Sequence, residues 1–264
     1  MESGGPSNQA LGLYMANLYL RTADAVTLGC YSERGIMSFF MFRVLASRLS
    51  EFLALAQFSN GNSNRLKLDE PPQDIALFSE LDFGNEGFGK PDGAIWYRHR
   101  DRPHLILMEV KLNQSYLAAC SPTASYNSTI RGQLELKWRL MRLFKSGQTV
   151  NDDGVQYVVE CDPMLAFYRD KDRMYSRSAV GGPVELKNRR RLKLVQGVGE
   201  FFQRFVTPCS FEDIFYIALT VDTGNPLDSN KDLLPRCCDE TGRLDESAIR
   251  QFAWINTSVL ESWQ

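Results

Sequence analysis

Histidine is scarce, with two in 264 residues, and the six cysteines, at positions 30, 120, 161, 209, 237 and 238, include no Cys-x-x-Cys pair. That combination argues against the common structural zinc patterns. The adjacent Cys237 and Cys238 make an awkward start for a disulfide framework, so reduced thiols and an intracellular protein, cytoplasmic or nucleoid/nuclear, are expected. Long apolar runs are missing as well. Charge interrupts every hydrophobic stretch well short of bilayer length, and no membrane association is expected. The polar opening "MESGGPSNQ" lacks the basic-then-apolar order of a secretory signal. Charge of one sign is also lacking: 30 Lys and Arg against 32 Asp and Glu give a formal net charge of −2. No global basic field recruits nucleic acid, so any such surface is a local patch.

What is present reads as an ordinary globular chain, with 44% hydrophobic and 23% charged residues. The spacing predicts a short helix within 10–28 and a long one over 31–58, with Ser32 as N-cap and Glu33 in its first turn. Apolar runs predict strands at 74–83, 91–98 and 104–112. A helix follows over 128–145, with Ile130, Leu134, Trp138 and Met141 as its buried stripe. Strands are expected at 155–160, 164–169 and 213–222, and helices at 192–206 and near 245–254. The mixture predicts a single α/β domain over 1–264. Charge is uneven within it. Residues 161–204 hold ten Lys/Arg against five Asp/Glu, whereas 205–264 hold four against ten. "KNRRRLK" lies at the centre of the basic stretch.

The stretch "PDGAIWYRHRDRPHLILMEVKL" carries the chemistry. Two apolar runs flank a polar turn, so an antiparallel hairpin is expected. With the turn centred between Arg100 and Asp101, Asp92 stands opposite Glu109, and their side chains share a face. Lys111, two residues on, projects from that face too. A one-residue slip would separate the carboxylates. Two carboxylates this close call for a positive partner. Mg²⁺, or Mn²⁺, suits them, with the Val110 carbonyl as a further hard oxygen ligand. Such a cation acidifies water and polarises a phosphoryl oxygen. Lys111 would orient the water or stabilise the developing charge.

Pro91, Asp92, Glu109 and Lys111 resemble the core motif of the PD-(D/E)xK nuclease superfamily. The resemblance covers about 31–145. It implies the restriction-endonuclease-like fold, a three-layer core in which helices flank a central mixed sheet. The nuclease-like core would span about 31–145 plus 213–222, with 150–210 and 223–264 as elaborations. It also implies metal-dependent phosphodiester hydrolysis, with DNA favoured over RNA as partner. Dimers are frequent in the superfamily, so a homodimer is one expectation. Glu33 resembles the metal-reaching glutamate of the first core helix, and Glu80 is its rival as supporting carboxylate. Gln133 and Lys137 match the Gln and the residue four positions later on the following helix of the repair and recombination branch. Beside each stands a plainer reading: a helix-dipole contact for Glu33, an exposed strand position for Glu80, and a solvated face for Gln133 and Lys137. Lys187, Arg189, Arg190, Arg191 and Lys193, with Lys137, are the candidate phosphate contacts, although a basic run is more often a solvated face. A non-catalytic nucleic-acid-binding or interaction module on the same fold is the alternative.

Overall fold

The computed structural model describes residues 18–21, 27–30, 35, 37–38, 40–59, 62–79, 81, 91–112, 114–120, 129–145, 149–152, 155–159, 191–193, 201–229, 237 and 245–258. It shows an α/β fold built on a six-stranded mixed sheet. In chain order the strands among the described residues are β1 (Leu18–Arg21), β2 (Thr27–Cys30), β3 (Gln57–Phe58), β4 (Gln73–Ser79), β5 (Gly93–His99), β6 (Arg102–Lys111), β7 (Thr149–Asp152), β8 (Val155–Val159), β9 (Arg191–Lys193), β10 (Ile214–Thr220) and β11 (Phe252–Asn256). The large sheet runs β3-β11-β10-β6-β5-β4. Its half from β4 to β6 is an antiparallel meander, β10 lies parallel to both β6 and β11, and β3 closes the far edge antiparallel.

The centre of this sheet is apolar on both faces, as a strand covered from two sides must be. Ala94, Leu105, Leu107, Ile214, Tyr216, Ala218, Phe252 and Trp254 face one core. Ile95, Tyr97, Ile106, Met108, Val110, Phe215, Ile217, Leu219, Ala253 and Ile255 face the other. Alternating numbers fall on alternating faces, the period-2 rule of a strand. The first core is covered by the helix Ile130–Lys145 and the π-helical turn Phe202–Val206. The second is covered by the π-helical turn Phe40–Leu45 and the helix α1 (Ala46–Ala54) that continues it. A short helix α2 (Tyr116–Ala119) follows β6, the Ile130–Lys145 helix is α3, and α4 (Pro226–Ser229) follows β10.

Local chemistry explains the elements that matter here. Thr129 opens α3: its hydroxyl accepts from the Gly132 N–H at 3.0 Å, one of the donors a helix start leaves orphaned. Gln251 ties α3 to the sheet. Its side-chain oxygen accepts from Trp138 Nε1 at 3.0 Å, and its amide donates to the carbonyls of Phe211 and Ile214 at 2.6 and 3.0 Å. Asp213, just ahead of β10, is buried and clasps the start of β6. It accepts from Arg102 Nε at 2.7 Å and from the Ser210 hydroxyl at 2.5 Å.

Four expectations are corrected. The segment 10–28, read as a short helix, contains β1 and the start of β2, which pair antiparallel. The region 245–254, also read as helix, is a 3-10 turn (Ala248–Gln251) followed by β11, whose short apolar run pairs in the sheet. The start of the helix expected at 192–206 is strand: Arg191–Lys193 pairs with Val159–Tyr157, and among the described residues of that span only 201–206 is helical. The helix expected over 31–58 is helical to Ala54 and then gives way to β3, with a non-helical Arg48 inside it. The strand expected at 164–169 lies outside the described residues. No helix among the described residues is long and apolar enough to cross a membrane. The described Cys120, Cys209 and Cys237 carry no disulfide.

Candidate metal centre

The site grows from one hairpin. Strand β5 ends at His99 and β6 begins at Arg102, leaving Arg100 and Asp101 as a two-residue turn. Both have positive φ, 51° and 61°, the backbone a type I′ turn demands. The pairs run from His99 opposite Arg102 to Gly93 opposite Met108. Asp92, one residue before β5, lies beyond that ladder, and its charge acts on Glu109. The Asp92 N–H donates to the Met108 carbonyl at 3.0 Å, which ties Asp92 to the end of the ladder. Gly93 lets the next layer come close: an added Cβ would lie 2.7 Å from Met108 Cε and from Met41 Sδ.

Asp92 and Glu109 stand on the α3 face of the sheet, in line with Ala94 and Leu107. Asp92 is half-buried, and its Oδ2 accepts from the Val110 N–H at 2.8 Å. Glu109 is 1% exposed. Burial pushes its carboxyl up to about 7; Lys137 pulls against that shift, Asp92 adds to it, and Lys111 pulls against it in turn. Lys137 reaches down from α3 and forms an ion pair with Glu109 Oε1. Its side chain is completely buried, and its ammonium also lies 3.4 Å from the Gln133 carbonyl. Among the described residues, Lys137 is the partner of Glu109 and neither of its oxygens has another hydrogen-bond donor in reach. Lys111 is half-buried at the end of β6, opposite Thr220 of β10.

The sequence-predicted residues therefore divide. Asp92, Glu109 and Lys111 come together, and Lys137 joins them from α3. Lys137 was expected as a surface phosphate contact; it is instead an internal cation held on Glu109. Gln133 is one turn earlier on α3, with its side-chain oxygen buried and lacking a hydrogen-bond partner among the described residues. Val110 turns its side chain to the opposite core while its N–H holds Asp92. Glu33 and Glu80 lie outside the described residues, as do Lys187, Arg189 and Arg190. The backbone of Arg191 and Lys193 belongs to β9, in a three-stranded sheet with β7 and β8.

Asp222 is a residue that sequence reasoning passed over. It follows β10 at the same rim, where its Oδ2 accepts from the Tyr116 N–H at 2.9 Å and from the Thr220 hydroxyl. It thereby fixes the segment after Lys111 to the end of β10. Its signal was available: an aspartate two residues past the end of an apolar strand. A separate group, Asp69, Glu70 and His99, is close enough to share one ion. It lies at the turn end of the hairpin, where Asp69 already pairs with His99 at 2.9 Å and with Arg100.

The donors are carboxylate oxygens, the kind a hard divalent cation takes, with the Lys137 ammonium already on one of them. Two carboxylates converge on one face; one is anchored by a backbone N–H, and the other is buried with a single cationic partner. No family model, curated protein or solved structure matches the chain.

Proposed function

We propose that the protein is a metal-dependent nuclease that hydrolyses phosphodiester bonds, DNA in preference to RNA, on a restriction-endonuclease-like fold. What supports the reading is the closeness of Asp92 and Glu109 at the open end of the β5–β6 hairpin, with Lys111 two residues beyond Glu109. Unlike scattered surface acids, these two side chains repel each other and are nevertheless kept together in the protein interior. The sheet with helical layers on both faces is compatible with the same reading.

In this reading Asp92 and Glu109 hold Mg²⁺ or Mn²⁺, which supplies an acidified water and a polarised phosphoryl oxygen. Lys111 stands at the end of β6 to orient that water or to stabilise charge gathering on the phosphate. The Val110 N–H keeps Asp92 from swinging away from Glu109. Glu33 or Glu80 would complete the ligand shell, and the basic run from Lys187 to Lys193 would contact the substrate backbone.

The test is cleavage of labelled DNA and RNA by the purified protein, with Mg²⁺, Mn²⁺ or EDTA, beside Asp92→Ala and Lys111→Ala. Cleavage that needs the metal and disappears in both variants supports the proposal; equal activity in all three proteins rejects it. Binding to uncleaved substrate should weaken steeply with salt. The second reading is a non-catalytic nucleic-acid-binding or interaction module. The observation in its favour is the Lys137–Glu109 ion pair, which neutralises the site without a metal. Substrate binding without metal dependence or cleavage would select it.

A further inference from the structure

Lys137 is the largest departure from what a nuclease surface would need. A lysine aimed at substrate stands in solvent, but this one is 0% exposed and lies against a glutamate that is 1% exposed. An ion pair that deep persists only when its charges are matched, because each ion loses its hydration. The match extends to the whole group. The negative charges of Asp92 and Glu109 are balanced by the positive charges of Lys111 and Lys137. A divalent cation added to that balanced set leaves two surplus positive charges in a poorly solvated place. Coulomb energy at short range makes that surplus costly. Glu109 Oε1, one of the oxygens a cation would use, is already occupied by the Lys137 ammonium.

We propose that Lys137 is the site's own cation: its ammonium holds Glu109 until a divalent metal replaces it, so lysine and metal compete for one carboxylate. This rests on the metal-site reading above and adds to it a device that sets how strongly the metal binds. Lys137 is then a positioning residue. It holds the Glu109 carboxyl against α3 in the metal-free protein, and it yields when the metal arrives.

The experiment measures Mn²⁺ affinity of the full chain by electron paramagnetic resonance, for wild type, Lys137→Gln, Lys137→Arg and Asp92→Asn. Lys137→Gln removes the competitor and should bind Mn²⁺ at least roughly fivefold more tightly than wild type. Lys137→Arg keeps the charge and should show no such gain. If Lys137→Gln binds equally or more weakly while wild type binds, the competition is refuted and the metal site stands. If wild type and every variant fail to bind Mn²⁺, both fall. Should Lys137→Gln not fold, wild type alone decides through acetylation of lysines, read by peptide mass spectrometry. Lys137 should react severalfold faster when Mn²⁺ is added, while the exposed Lys67 serves as internal standard. Unchanged or slower reaction of Lys137 overturns the proposal.

Discussion

At Glu109 burial and neighbouring charge pull in opposite directions, and burial wins, lifting the carboxyl to about 7. The folded protein therefore holds a proton there that the unfolded chain releases near the ordinary glutamate value. Stability from this group is fully present below the unfolded value and is lost as pH rises through about 7. His104 works the other way. Burial lowers its pKa, so its contribution is present above the usual histidine value and is lost as pH falls. The raw pH slope mixes the two, and the informative quantity is the difference between wild type and Glu109→Gln. Urea unfolding of metal-free protein at pH 5 and pH 8 should show wild type losing more stability toward pH 8 than the variant does. Gln251 gives a simpler residue-scale expectation. Gln251→Leu removes three buried hydrogen bonds, from the Trp138 indole N–H and to the Phe211 and Ile214 carbonyls. A loss of about 2–4 kcal/mol is expected from urea melts, with far-UV circular dichroism unchanged.

Among the elements, the hairpin was the most legible in sequence, for a physical reason. A two-residue turn between apolar strands permits few registers, and the buried face rejects a one-residue slip. The pairing of Gly93 with Met108 follows from centring the turn between Arg100 and Asp101. The turn itself is chemically imperfect, since both residues adopt a left-handed backbone without being glycine. Asp101→Gly should stabilise the protein by about 0.5–1 kcal/mol in thermal or urea melts, as relief of the left-handed conformation outweighs the added freedom of the unfolded chain. The Arg100 ion pairs with Asp69 and Glu70 are left in place, and being solvent-exposed they contribute little in any case. Other elements were illegible for equally definite reasons. "FAWIN" is too short an apolar run to distinguish a buried strand from a helical segment, and only pairing with β10 and β3 decides it. Lys137 stands four residues after Gln133 on an amphipathic helix that also carries Arg131, Glu135, Arg139, Arg142 and Lys145, where a further lysine reads as solvated. Its burial depends on Glu109, which is 28 residues earlier and on a different layer.

Across the large sheet, the candidate site belongs to no single layer. Asp92, Glu109 and Lys111 come from the sheet, Lys137 from the helix packed over it, and Asp222 braces the same rim from β10. The alternating apolar pattern was enough to anticipate an α/β molecule, but it did not reveal which polar groups two layers would enclose between them. Because the site spans the contact between sheet and α3, a ligand held there is lost when those layers separate. Metal binding should therefore stabilise the folded molecule as a whole. A cation at a hundredfold excess over its Kd adds about 2.7 kcal/mol. For a chain of this size that corresponds to a rise in Tm of roughly 5–10 °C. Asp92→Asn is the matching control, since its amide oxygen can still accept from the Val110 N–H while the charge is gone. Thermal melts with Mn²⁺ should show the rise in wild type and little or none in Asp92→Asn, with the two metal-free proteins melting close together. An equal rise in both would mean that the stabilising ion binds elsewhere, with the exposed Asp69, Glu70 and His99 group as the first place to look.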